Sequence, residues 1–165
     1  MKVHPTTGVD VRGASGWVPG HLAEVRAGGS TGHVGSFGMT RNGGTKMHKG
    51  TDYLCDVGDA VFAAMDGQVF RSGESIPLGS VSQDGRKGYG YRCYIKHGVT
   101  GDGKKIETRY AHLGALLVKP DQFVRAGEVI GFAGRSGNVY RDVPTHLHFE
   151  VRINGNPVDP VQWLR

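Results

Sequence analysis

His146-Leu147-His148-Phe149-Glu150-Val151-Arg152-Ile153, residues 146–153, alternates polar and apolar side chains from end to end. Successive side chains of an extended chain point to opposite faces. The run therefore reads as a strand with Leu147, Phe149 and Val151 on a core face. His146, His148 and Glu150 share the other face. Two histidines at i and i+2 thus point at one place, where both can serve a metal ion. The plainer reading is two surface histidines on an edge strand.

The rest of the chain extends this reading. Glycine is frequent, 28 of 165 residues, and no long helical apolar period occurs. The glycines fall between short runs of β type, which predicts tight turns in a mainly β fold. Expected strands are Gly50–Leu54, Ala60–Ala64, Gly67–Arg71, Tyr91–His97, Ile106–Ala111, Val129–Ala133 and His146–Ile153. Leu113–Val118 reads as a short helical turn. Residues 1–32, rich in Gly, Pro and Ser, form an expected irregular arm packed on a single domain over 33–165. Ser72–Gly90 is long for a hairpin connection, and long loops are often functional. This one is expected to wall a groove, with Arg71, Arg86 and Lys87 at or near its ends and Tyr89 and Tyr91 at its exit.

One ordinary domain with a real core fits a chain of this length. Lys and Arg number 20 against 15 Asp and Glu, giving a formal charge of +5 and a pI near 9.4. Such a surface favours polyanions, among them bacterial wall polymers. The charge is scattered, with Arg86-Lys87 and Lys104-Lys105 its only dense spots, and no nucleic-acid motif accompanies it. No nucleic-acid partner is expected. No window approaches the ~20 apolar residues of a membrane span, and the start lacks a signal-peptide core. Cys55 and Cys93, without a close pair, argue against a structural zinc cluster. They read as small residues on strands rather than as a disulfide.

Two more patches carry chemistry. In His48-Lys49-Gly50-Thr51-Asp52 the histidine and carboxylate share a face of an extended segment. Gly50 between them lacks a side chain and is expected to leave room for a metal. His112, in Tyr110-Ala111-His112-Leu113, ends a strand. Taken alone, His48 and Asp52 read as a solvated pair, and a lone histidine at 112 is more often structural. His97 reads as structural or as a support to the site, and His4, His21 and His33 read as exposed. Histidine and carboxylate types suit Zn²⁺, and three protein ligands leave a fourth position for water.

Taken together, these patches resemble the lysostaphin-type zinc metallopeptidases, which cut peptide bonds in peptidoglycan. The match runs from about Gly35 to Pro160. Ser36-Phe37-Gly38 with Arg41 looks like the family's segment ahead of its first metal motif, and His48-Lys49-Gly50-Thr51-Asp52-Tyr53 looks like its His-x-Gly-x-Asp motif. Gly58–Ala64 with Asp66-Gly67-Gln68-Val69, Tyr110-Ala111-His112-Leu113, Gly127–Gly131, Gly134-Arg135-Ser136-Gly137 and His146–Val151 follow in family order. Asn154-Gly155 and Asp159-Pro160 close the match.

The resemblance implies a single domain on an antiparallel β-sheet, of the duplicated-hybrid-motif kind, with long loops around a groove. It implies zinc held by His48, Asp52 and His148, with His112 and His146 as the catalytic pair. Glu150 is either an acceptor that supports a metal-bound histidine or a solvated group near the strand end. Arg41, Tyr89 and Tyr110 are the expected substrate-binding residues. The implied substrate is the peptide part of bacterial peptidoglycan, with D-amino-acid crosslinks ahead of glycine bridges. The protein is expected to act as a monomer at the cell wall, periplasmic or extracellular, delivered by a phage particle or secretion machinery or trimmed from a longer chain. The alternative is a non-catalytic relative that binds wall or activates a hydrolase. A lipoyl-type carrier fits less well, because the lysines near Met47 already lie in the metal motif. The Ser72–Gly90 and Asn138–Thr145 stretches are longer than the family pattern.

Overall fold

The computed structural model of the protein describes residues 2–8, 35–74, 88–139 and 143–164. Strands β1 (Gly38–Arg41) and β2 (Lys46–His48) form a hairpin. The main sheet contains β3 (Thr51–Leu54), β4 (Ala60–Phe62), β5 (Gly67–Glu74), β6 (Tyr91–Val99), β7 (Lys105–Leu116), β8 (Phe123–Val124), β9 (Val129–Ala133), β10 (His146–Ile153) and β11 (Asn156–Val158). Every pairing among them is antiparallel. Among the described residues one short helix, α1 (Pro160–Leu164), packs at the end. The fold is the expected mainly antiparallel β domain.

Strand β10 is central. Its first half lies between β3 and β7, with His148 facing Asp52 on one side and Ala111 on the other. The alternation read from its sequence sorts as expected. Leu147, Phe149 and Val151 are buried in a core with Tyr53, Ile95, Tyr110, Leu113 and Ile130. The Phe149 ring packs 5.2 Å from that of Tyr110 and 6.3 Å from that of Tyr53. A central strand buried on both faces holds its register tightly, because a one-residue slip exchanges the faces.

Several expectations change. Leu113–Val118 is not a helical turn, since β7 stays extended to Leu116. Leu113 is fully buried, and β7 shifts across a bulge to pair with β9, Leu113 opposite Ala133 and Leu116 opposite Gly131. The β1–β2 hairpin carries little strand signal and went unread. His4 is not exposed. Residues 2–8 dock on the sheet through Val3 N–H to Ala64 O and Phe62 N–H to Pro5 O, both 2.8 Å. That places the His4 ring, 1% exposed, edge-on to Tyr53 at 4.5 Å. The remainder of the expected arm, with His21 and His33, lies outside the described residues, as do residues 75–87 of the long connection. Strand β5 takes up the start of that connection, as far as Glu74. Both cysteines are free, Cys93 buried within β6 and Cys55 half-buried just past β3.

Candidate metal centre

Asp52 on β3 and His148 on β10 are direct cross-strand partners, and His48 ends β2 just before the chain enters β3. Their donor atoms converge. His48 Nε2 lies 3.1 Å from His148 Nδ1 and 3.2 Å from Asp52 Oδ1, and His148 Nδ1 lies 2.9 Å from Asp52 Oδ1. A tetrahedral zinc ion bonded at ~2.0–2.1 Å needs donors ~3.3 Å apart. The three edges need to open only by tenths of an ångström, so this donor set fits zinc. All three residues are buried.

Gly50 has a different purpose from the one expected. A Cβ there would meet the Phe149 carbonyl oxygen, Glu150 Cγ at 2.9 Å and His148 Cε1 at 3.0 Å. The missing side chain makes room for β10 itself, and so lets the two halves of the site approach.

Each histidine has one ring nitrogen tied down. His48 Nδ1–H donates to Ser36 O at 2.7 Å, and His148 Nε2–H to Glu150 Oε1 at 3.0 Å. His112 Nδ1–H donates to Ser136 O and His146 Nδ1–H to Pro144 O, both at 2.9 Å. The opposite nitrogens of His112 and His146 are thereby left with their lone pairs, a tautomer assigned from these partners, whereas His48 Nε2 and His148 Nδ1 face the Asp52 carboxylate. His112 and His146 lie ring to ring at 5.1 Å, and His146 Nε2 is 3.8 Å from Asp52 Oδ2. All five residues line one cavity of about 320 Å³, together with Arg41, Gly88, Tyr89 and Glu150.

Burial and charge set the protonation states. Burial pushes the His112 imidazole down to about 3, helped by the neighbouring His148 and His146 charges. Burial also lowers His146, partly offset by the Asp52 carboxylate. Burial alone would raise the Asp52 carboxyl, but hydrogen bonds from His148 and His48 hold it well below the usual carboxylate range. His148 sits between two carboxylates. Burial disfavours its charge, yet Asp52 and Glu150 raise it to about 9 in the metal-free protein. A ligand must be deprotonated, so metal has to displace that proton.

His112 shows what the sequence hides. It sits inside β7, with φ at 64°, where the strand bulges. Few non-glycine residues adopt such a backbone, and those that do gather at functional sites. Its N–H donates to Tyr89 O at 2.8 Å. Ser136, absent from the expected set, accepts from the His112 ring and ties its own hydroxyl to Leu113 O. The Gly134-Arg135-Ser136-Gly137 motif was its only signal.

Of the expected substrate contacts, Arg41 and Tyr89 reach the cavity. Arg41 Nη2 donates to Asp52 Oδ2 at 2.7 Å and lies 2.8 Å from His48 Nε2. Tyr110 does not reach it. Its ring is fully buried on the core face, and its hydroxyl accepts from Ala64 N–H at 2.8 Å and from the Thr108 hydroxyl at 3.0 Å. Its register opposite Phe149 puts it on the core face, and the bulge at His112 separates it from that histidine two residues on. Glu150 is no solvated group, since it is fully buried and accepts from His148, Arg152 and Tyr89. His97 is structural, bridging Asp66 O and the Thr108 hydroxyl.

The model of peptidase family M23 matches residues 46–160. The DD-carboxypeptidase/endopeptidase Mpg of Neisseria meningitidis serogroup B is 39% identical over 116 residues, 70% of this chain and 22% of that protein. The murein hydrolase activator NlpD of Escherichia coli is 31% identical over 79% of this chain and 28% of its own length. The chain thus spans less than a third of these curated relatives. A zinc-containing peptidase from Vibrio cholerae superposes with a TM-score of 0.59 at 31% identity, over 75% of this chain and 34% of that one. The catalytic domain of lysostaphin from Staphylococcus simulans does so with a TM-score of 0.58 at 28% identity, over 79% and 86%. The matched span opens just ahead of His48 and runs past His148, so it contains the whole zinc-type constellation, and the chain belongs to peptidase family M23.

Proposed function

We propose that the protein is a zinc endopeptidase that hydrolyses peptide crosslinks of bacterial peptidoglycan, acting at the cell wall. The observation that carries this reading is the pairing of two sets in one cavity. His48, Asp52 and His148 converge to hold zinc, and His112 and His146 direct free ring nitrogens into the same space.

Zinc, when bound, supplies Lewis acidity to a carbonyl and brings the pKa of water from ~15.7 towards ~7. Asp52 offsets part of the ion's charge, while two neutral imidazoles keep the centre electrophilic. Burial keeps His112 and His146 neutral near pH 7, so either can accept a proton at Nε2. One takes the proton of the attacking water. The other, once protonated, donates to the oxyanion or to the leaving amine. Asp52 gives the charged form of His146 a neighbouring carboxylate. Arg41 lines the cavity, and on this reading it meets a stem-peptide carboxylate.

D-amino-acid crosslinks are the first choice of bond, in keeping with the name of the Neisseria relative, and glycine bridges the second. Digestion of purified peptidoglycan with mass analysis of the products tests this. Separated stem peptides are the expected result, and free glycan ends with intact crosslinks would overturn it. The similarity to a hydrolase activator favours a second reading, in which the site binds wall without cutting. Zinc-loaded protein that releases no peptide and stimulates a separate amidase would establish it.

A further inference from the structure

We infer that Tyr89 is a positioning residue that locks the zinc ligand His148 and the catalytic-pair residue His112 in register, rather than a contact for substrate. The inference rests on the zinc reading of the site, but not on the identity of the bond cleaved.

Three parts of Tyr89 make three different connections. Its ring stacks on His148, with centroids 5.4 Å apart and planes at 21°. Its hydroxyl donates to Glu150 Oε1, the oxygen that also accepts His148 Nε2–H. Its carbonyl accepts the His112 N–H at 2.8 Å, where β7 takes up the left-handed backbone. The stack opposes rotation of the His148 ring. The hydroxyl holds the oxygen that keeps the proton on Nε2, which leaves Nδ1 to face Asp52 and His48. The carbonyl holds the bulge that turns His112 into the cavity.

Tyr89 is itself held. Gly90, next in the chain, has φ at 63°, and a Cβ there would collide with Ser136 and with Gly137 N. Ser136 is the residue whose carbonyl receives the His112 ring. Segment 88–90 therefore seats against 136–137 without play. On the far side of the carboxylate, Arg152 Nε and Nη2 bind Glu150 Oε2 at 3.0 and 2.9 Å. Glu150 thus receives donors on both oxygens, and among the described residues Tyr89 is the one that reaches it from outside its own strand. Groups that orient a metal-bound histidine in this way change metal affinity typically by 10–100-fold when removed.

Tyr89→Phe keeps the ring and the backbone and removes only the donor to Glu150. Zinc affinity is read by competition with a chromophoric chelator. The protonated ring nitrogen of His148 in the zinc form is read by ¹⁵N NMR. The melting temperature is measured in excess chelator. The expected result is a ~10-fold loss of zinc affinity and a changed His148 ring signal, with the chelated melting temperature near that of the parent. Tyr89→Leu, which also removes the stack, should lose more. Parental zinc affinity and an unchanged His148 signal in Tyr89→Phe would overturn the inference. So would a defect confined to KM for wall peptides, which would make Tyr89 a substrate contact. A protein that shows the zinc effects yet cuts no wall would leave Tyr89 as a positioning residue and sink the endopeptidase reading instead.

Discussion

Replacing Gly50 with alanine adds one methyl group between the two halves of the metal centre. Its carbon would sit 2.9 Å from Glu150 Cγ and 3.0 Å from His148 Cε1, and closer still to the Phe149 carbonyl oxygen. Carbon atoms pack at ~3.5–4.0 Å, so β10 and the β2–β3 junction must part by ~0.5–1 Å. The carbonyl belongs to a central strand and cannot turn aside alone. Overpacking of this kind costs ~1–3 kcal/mol, and the upper end applies where backbone must move. For a domain of this size, ~3 kcal/mol lowers the melting temperature by ~6–12 °C. The metal should suffer separately. The donor edges now span 2.9 to 3.2 Å, whereas workable coordination tolerates about ±0.2 Å. Zinc affinity should fall at least ~10-fold. Thermal melts in excess chelator isolate the packing effect, and zinc titration against a competing chelator isolates the metal effect. Parental values in both would refute the account of Gly50 as a point of close approach. A lowered melting temperature with parental zinc affinity would refute its link to the site.

His48→Ala and Asp52→Ala should lose zinc by elemental analysis while keeping the β-type circular dichroism, because strand packing holds the domain. His112→Asn, whose new side chain tolerates the left-handed backbone, and His146→Ala should keep zinc and lose at least ~10²-fold in peptide hydrolysis; loss of zinc from His146→Ala but not from His148→Ala would reverse the two roles. Tyr110→Phe leaves the buried Ala64 N–H without its acceptor and should cost ~1–3 kcal/mol of stability, with KM for wall fragments unchanged; a raised KM would return Tyr110 to the groove. For His4, burial depresses the imidazole from 6.5 to about 4. Neither state is protonated above 6.5, and below it the unfolded chain takes the proton first. Stability should therefore fall between pH 6.5 and pH 4, by up to ~3 kcal/mol, and His4→Gln should flatten that slope in melts at pH 7 and 4.5.

Strand β10 was legible because it obeys a single rule: alternation put its histidines on one face and its apolar residues on the other. The candidate zinc ligands came from the family resemblance, to which residue types and spacing pointed. What escaped the sequence depends on approach between distant segments. Gly50 was read as space for a metal because the strand that fills the space, β10, is remote in the chain. Tyr110 was expected in the groove, and its register opposite Phe149, with a bulge between it and His112, decided otherwise. The bulge at His112 leaves no trace in composition, since histidine does not announce a left-handed backbone as glycine does. His4 was read as exposed because its burial is created by docking onto Tyr53, not by a local pattern. The fate of Glu150 was open between two readings until its own strand and the remote segment 88–90 together supplied its donors.

The double duty of β10 has a consequence for assembly of the active molecule. Hydrophobic selection acts on Leu147, Phe149 and Val151, and whatever register satisfies them also aims His146 and His148. A chain that slipped by one position would push both histidines into the apolar core and turn the apolar set towards the polar cavity, forfeiting core and site together. Folding therefore proofreads the histidine site before any ion arrives, and the zinc-binding capacity of a refolded sample should track its fraction of native tertiary structure even when refolding is carried out without zinc and the metal is added last.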